Sequence, residues 1–284
     1  MKKKERPRIA VVGTGKLGTA LALSLRAAGY SVSEIISRDR KNSKLKARAL
    51  ARRVGASAST PRETGLRAEL VWFCVPDGEI AKSARVLAVK DWKDKIALHS
   101  SGALTSDELQ ALRKRGARVG CAHPMMTFVD NVHPSLKGAG FAVEGDREAV
   151  GAVVKIVRRL GGESFLIAKN DKALYHAWGT FLSPLLTALL ASAEMVAQQA
   201  GVSSGMARRW MLPIARQTLE NYARQGGARG FSGPIIRGDV ATVRKHLRVL
   251  GKRRLEREVY VALARSALRN LPTRNARELK SLLR

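Results

Sequence analysis

The stretch that most constrains this chain is Arg8-Ile-Ala-Val-Val-Gly-Thr-Gly-Lys-Leu-Gly-Thr-Ala-Leu21. A short β-branched run leads into three glycines spaced G-x-G-x-x-G, and small residues suited to a helix start follow. Strand, turn and helix in that order make a place to hold a pyrophosphate. Gly13 takes the tight turn, Gly15 lets the backbone approach the phosphates, and Gly18 lets the helix pack close to the sheet. Thr14, Lys16 and Leu17 complete the loop. The helix that opens near Lys16 presents free N–H groups and the positive end of its dipole to the anion.

Tyr30 to Ser37 reads as the next strand and completes a βαβ unit. Its tip, Ser37-Arg38-Asp39-Arg40-Lys41-Asn42-Ser43, lies where the adenosine ribose of a dinucleotide would sit. Ser37 and Arg38 come first. A small hydroxyl and a guanidinium suit a 2′-phosphate, so NADP is the expected cofactor. Asp39 keeps NAD open, because an acidic side chain at that tip would take the ribose hydroxyls instead.

Strand and helix signals then alternate. Glu69 to Val75 is a continuously apolar run, as in a strand buried on both faces, and Val75, Pro76 and Asp77 at its end should flank the cofactor. Asp77 is also suited to cap the helix from Glu79 to Val89. The strand Lys95 to His99 ends in Ser100-Ser101-Gly102-Ala103 on the same rim, with Ser100 expected at the cofactor and Ser101 at the substrate. A helix over 106–115, a strand over 118–122 ending at His123-Pro124, a strand over 141–144, an Asp146-capped helix to Leu160 and a strand over 163–167 follow. This alternation predicts a doubly wound, mainly parallel α/β sheet over 1–168. Beyond it only helix signals remain. Residues 169–284 read as an all-helical domain, opening on a long helix to about Ala200 that is kinked at Pro184, with helices over 206–225, 240–250 and 256–268.

The first helix of that second domain is expected to face the nicotinamide across a cleft. Lys172 and His176 stand at i and i+4, with Thr180 continuing the face. An ammonium buried beside the cofactor and other cations is a ready general acid for the centre that receives hydride, and His176 can share or replace that role. In Phe231-Ser-Gly-Pro-Ile-Ile-Arg-Gly-Asp239 the glycines and proline shape a turn that displays Arg237 as a clamp for an anionic substrate group, while Asp239 caps the next helix.

The 52 Lys and Arg outnumber the 23 Asp and Glu, leaving a formal charge of +29. Such a charge favours anionic partners. The cations are scattered over nearly every helix, aromatics are few and no zinc-finger or RNA-binding signature is present, which argues against a dedicated nucleic-acid binder. The most apolar stretch, Trp178 to Ala193, is interrupted by Gly179, Ser183, Pro184 and Thr187, so no membrane span is expected. A cytoplasmic protein is expected, with Cys74 and Cys121 as reduced packing residues. The five histidines lack metal-ligand spacing, and no metal is expected.

These residues together resemble a family of oxidoreductases that join an NADP-binding, Rossmann-like domain to a helical C-terminal domain of unknown function. That family is distantly related to pyrroline-5-carboxylate reductases and deazaflavin-dependent NADP reductases. The resemblance rests on Gly13-x-Gly15-x-x-Gly18, Val75-Pro76-Asp77, His99 to Ala103, His123-Pro124 with Phe128, Tyr175-His176, and Gly233 to Asp239 with His246. The chain departs from the pattern at Ser183, where an Asn is expected. It departs again at His176, which follows Lys172 where the related β-hydroxyacid dehydrogenases place Asn. The resemblance implies a dinucleotide and a homodimer formed through the helical domain. The expected activity is hydride transfer between NADP and a small, anionic carbonyl, imine or hydroxy compound, with His123 beside the substrate. The alternatives are a non-catalytic dinucleotide-binding redox sensor and a polyanion-binding protein.

Overall fold

A computed structural model describes residues 6–130, 132–251 and 254–284. The chain divides into two compact units, the first through Thr180 and the second Phe181–Arg284. The first therefore takes in residues 169–180, which the sequence pattern assigns to the helical domain.

The first unit follows the predicted alternation. Its elements run β1 (Ile9–Val12), α1 (Lys16–Ala27), β2 (Val32–Ile36), α2 (Lys41–Val54), β3 (Ser57–Ser59), β4 (Leu70–Phe73), α3 (Asp77–Leu87) and β5 (Ile96–His99). A 3-10 turn, Ser106–Leu109, then enters α4 (Gln110–Arg113), followed by β6 (Arg118–Pro124), β7 (Gly140–Gly145), α5 (Arg147–Arg159), β8 (Glu163–Leu166) and α6 (Lys172–Leu182). The strands form one sheet in the order β3-β2-β1-β4-β5-β6-β7-β8, parallel at every junction except β6–β7.

Alternate strand residues serve opposite faces. Ile9, Val11, Leu70 and Trp72 pack under α1, α2 and α5, whereas Ala10, Val12, Val71 and Phe73 pack under α3 and α4. Burial on both faces is why these strands read as continuous apolar runs. Asp146 occupies the N-cap position of α5 without a capping bond. Its carboxylate instead accepts from the Val119 N–H at 2.8 Å and from Arg113 at 3.1 Å.

The antiparallel junction places α6. Because β7 and β8 run against β6, the chain leaves β8 pointing away from the carboxyl ends of β1 to β6, and α6 returns across the sheet toward them. Lys172 and Tyr175 are its buried residues.

The second unit comprises α7 (Pro184–Gln199), α8 (Ser204–Gly230), α9 (Val240–Leu250), α10 (Arg254–Asn270) and α11 (Ala276–Leu282). The single kinked helix expected around Pro184 is two helices. Ser183 leaves helical geometry (φ −122°, ψ −76°), and Pro184, which has no N–H to donate, opens α7. Gly226, at φ 72° and ψ 174°, interrupts α8. A small core of Val243, Leu247, Ala264, Leu268, Leu279 and Leu283 joins α9, α10 and α11. α7 buries none of its residues in the chain and α8 buries only Ala207. By length and composition alone, Lys169–Gln199 is apolar enough to cross a membrane. Gly, Ser, Pro and Thr interrupt the apolar run but lower its mean hydropathy little.

Candidate active site

A cavity of about 990 Å³ opens at the carboxyl ends of β1, β2 and β4. Of the predicted cofactor residues, Gly13, Thr14, Gly15, Ser37, Arg38, Val75 and Pro76 line it. Gly13 has φ +106°, and a Cβ there would lie 2.4 Å from the Cys74 carbonyl oxygen. A Cβ on Gly18 would fall 2.2 Å from the Gly13 carbonyl oxygen. At Gly15 a Cβ would meet no atom within 4 Å, so this glycine opens onto free space. The loop thus has the steric signature of a phosphate cradle, in which two glycines serve packing and one serves approach. A dinucleotide fits these residues.

The other predicted cofactor residues lie outside the lining. Leu17 packs on the core, Gly18 sits beneath the loop, and Lys16 pairs with Asp130 at 3.2 Å. The Ser100 hydroxyl is turned into the sheet, where it accepts from the Trp72 indole N–H at 2.8 Å. The cavity wall also holds cations outside the predicted set: Arg40, Lys41, Lys46, Arg62 and Lys82. Lys41 and Lys46 belong to α2. Asp39 lines the cavity, but its carboxylate accepts from Lys44 at 2.8 Å.

Beyond Pro76 the site continues through a chain of hydrogen bonds. Asp77 is inside the first turn of α3 rather than capping it, because its carboxylate accepts from the Ser101 hydroxyl at 2.8 Å. The same hydroxyl accepts from the N–H groups of Ala103 and Leu104, fixing the loop after β5. Lys172, fully buried, donates from Nζ to the Ser101 carbonyl and to the Cys121 sulfur, each at 3.1 Å. Burial holds the Cys121 thiol protonated, pushing its pKa up to about 12.

Three histidines surround this seat. His99 accepts from the Ser101 N–H at Nδ1 and donates from Nε2 to the Thr105 carbonyl, so it is the neutral Nε2–H tautomer. Burial lowers its pKa to about 4. His123 is likewise lowered to about 4, by burial first and then by His176 and Lys172. Its Nδ1 lies 3.1 Å from the Tyr175 hydroxyl, and its ring is 6.0 Å from that of His176. Burial pushes the Tyr175 hydroxyl up to about 12. His176 is exposed. A Cβ on Gly102 would approach both rings, at 2.5 Å from His176 Cδ2 and 2.9 Å from His123 Nε2. Only a glycine lets the loop and the two rings meet this closely.

The face predicted to carry Lys172, His176 and Thr180 together is therefore divided. Lys172 is beneath the sheet end, His176 is at the surface, and the Thr180 hydroxyl is spent on the His176 carbonyl of its own helix. Tyr175, singled out in sequence only for the dipeptide it forms with His176, contacts His123 directly. Arg237 is exposed in the second unit, on a turn held by the bond from the Asn275 amide to the Gly238 carbonyl, and Asp239 caps α9 through the Thr242 N–H.

His99, Cys121 and Glu144 bring potential metal ligands within 4.8 Å of one another. Their atoms are already engaged: both His99 nitrogens as above, the sulfur with Ser101 and Lys172, and the Glu144 oxygens with the Ser106 N–H and hydroxyl. This grouping is a packed hydrogen-bond network.

Residues 2–124 match the Rossmann-like domain and 139–267 match a domain of unknown function, DUF2520. No curated protein matches the chain. Solved structures share its fold at low identity. BF3122 from Bacteroides fragilis, which carries an NADP-oxidoreductase assignment, is 22% identical with a TM-score of 0.75, over 92% of this chain and 97% of that one. A reductive aminase from Aspergillus terreus, in complex with NADPH4, cyclohexanone and allyl amine, is 19% identical with a TM-score of 0.64, over 99% and 100%. A pyrroline-5-carboxylate reductase from Coxiella burnetii is 17% identical with a TM-score of 0.58, over 98% and 99%.

Proposed function

We propose that this chain, which belongs to the proteins joining a Rossmann-like domain to a DUF2520 domain, is an NADP-dependent reductase of a small carbonyl or imine compound. The observation that carries the reading is the unbroken path from the glycine-loop cavity through Pro76 and Asp77 to Ser101 and Lys172. It sets the cavity for the dinucleotide beside a group of proton-bearing side chains. The fold shared with a reductive aminase and a pyrroline-5-carboxylate reductase supports the same reaction class.

NADPH, when bound, supplies the hydride. Gly13, Thr14 and Gly15 would hold its pyrophosphate, and Ser37 and Arg38 its 2′-phosphate. His176, the exposed imidazole beside Gly102, would deliver the proton to the nitrogen or oxygen of the reduced bond. Lys172 would act from below, orienting the Ser101 loop through its hydrogen bond to the Ser101 carbonyl, with His123 and Ser101 bordering the substrate.

We also assign the apolar surfaces of α7 and α8 to a second copy of the chain. Leu185, Leu189, Trp210, Ile214 and Leu219 are exposed on α7 and α8. An apolar surface of this kind marks an interaction site. The candidate membrane stretch includes Lys172 and Tyr175, which the sheet already buries, and it is broken at Ser183, so a protein partner suits it better.

Calorimetric titration with NADPH, then turnover across a panel of cyclic imines, ketones and oxo acids, tests the function. Micromolar NADPH binding and reduction of at least one panel member are expected, with turnover falling at least tenfold in His176→Ala. Tight NADPH binding without turnover on any member would instead favour a redox sensor.

A further inference from the structure

We propose that Lys44 sets the cofactor preference of the cavity by holding the Asp39 carboxylate in an ion pair, leaving the surrounding cations to a 2′-phosphate. The proposal rests on reading the cavity as an NADP site. Asp39 and Glu79 are the two acidic residues of its lining among the described residues, and each is paired with a lysine: Asp39 with Lys44 at 2.8 Å and Glu79 with Lys82 at 3.0 Å. Against them stand Arg38, Arg40, Lys41, Lys46 and Arg62.

An unpaired acid at the tip of β2 would do two things. It would accept the ribose hydroxyls of NAD, and it would repel the dianion that distinguishes NADP. Lys44 opposes both effects, since its Nζ occupies Asp39 Oδ1 and offsets the charge. The hydrogen bond from Lys44 is also the main cause holding the Asp39 carboxyl below its usual range.

Lys44 itself does not line the cavity. It lies on the other side of the β2 tip, beside Ser59, Glu63 and Arg48. Its influence on the ligand therefore runs through Asp39, which makes it a positioning residue. Both side chains are partly exposed, at 39% and 54%, so a severalfold effect is expected rather than a complete reversal.

The test is calorimetric titration of NADPH and NADH into the full chain and its Lys44→Met, Lys44→Arg, Asp39→Asn and Lys44→Met/Asp39→Asn variants. Lys44→Met should lower the ratio of NADPH to NADH affinity about fivefold, as loss of one exposed ion pair would. Lys44→Arg should restore the ratio, and Lys44→Met should leave it unchanged in the Asp39→Asn background. An unchanged ratio in Lys44→Met overturns the proposal. So does an equal fall in the Asp39→Asn background, which would show Lys44 acting without Asp39. Failure of the unaltered chain to bind either dinucleotide would instead remove the reading of the cavity, and this proposal with it.

Discussion

Lys172 donates to the main-chain carbonyl of Ser101 at 3.1 Å, tying α6 to the loop that follows β5. Its fully buried side-chain nitrogen is held by this oxygen and by the Cys121 sulfur. Truncating the side chain opens a void and strips a partner from the Ser101 carbonyl. Lys172→Ala should lower stability in urea by about 2–4 kcal/mol. Turnover should fall, while NADPH affinity stays within about twofold, because Lys172 does not line the cavity. Unchanged turnover on an identified substrate would remove Lys172 from the mechanism.

His99 gives a pH dependence with a definite sign. Its folded pKa of about 4 lies below the usual ~6.5 of an unfolded histidine. Between those values the unfolded chain binds more protons, so the contribution is fully present above pH ~6.5 and is lost as pH falls through ~4. Its upper bound is about 3 kcal/mol. His99→Gln cannot titrate and can still donate to Thr105. Its melting temperature should therefore fall less steeply than that of the unaltered chain between pH 6.5 and 4; equal slopes would refute the assignment.

Two glycines of one loop should separate folding from binding. Gly18→Ala puts a methyl against the Gly13 carbonyl and should lower the melting temperature with or without NADPH. Gly15→Ala meets no neighbouring atom. It should leave the melting temperature nearly unchanged yet weaken NADPH binding at least tenfold in calorimetry, because the methyl stands where phosphate oxygens approach.

If α7 and α8 are covered by a second copy, Trp210→Glu/Ile214→Glu should shift the sedimentation mass from dimer to monomer. The two residues stand at i and i+4 on α8 and are 59% and 69% exposed. An unaltered mass, or a monomer before substitution, would remove this face as the dimer contact.

The sheet and its glycine loop were legible because their signals are local: apolar runs of strand length, and glycines where only glycine fits. The site around Lys172 was only half legible. Spacing put Lys172 and His176 on one face of one helix, but periodicity does not tell which of two neighbouring turns lies under the sheet. The pairing of Asp77 with Ser101 was hidden for a related reason, since an Asp at a helix start already has a local role as a cap. The break at Ser183 was expected as a kink because Pro184 marks a position without fixing what the chain does there. Arg40, Lys41 and Arg62 were lost in a chain so basic that another cation carries little information.

The reversal at β6–β7 makes the outer rim of the sheet a gauge for the placing of Lys172. β8 pairs with β7 from Gly140↔Glu163 to Val143↔Leu166, and α6 begins a few residues later. A one-residue slip of this outermost strand would shift the chain about 3.3 Å and exchange its two faces. Lys172 would then no longer meet Ser101. A single-residue insertion in the turn at Gly161-Gly162, far along the chain from the glycine loop, should leave dinucleotide capture intact and silence the chemistry.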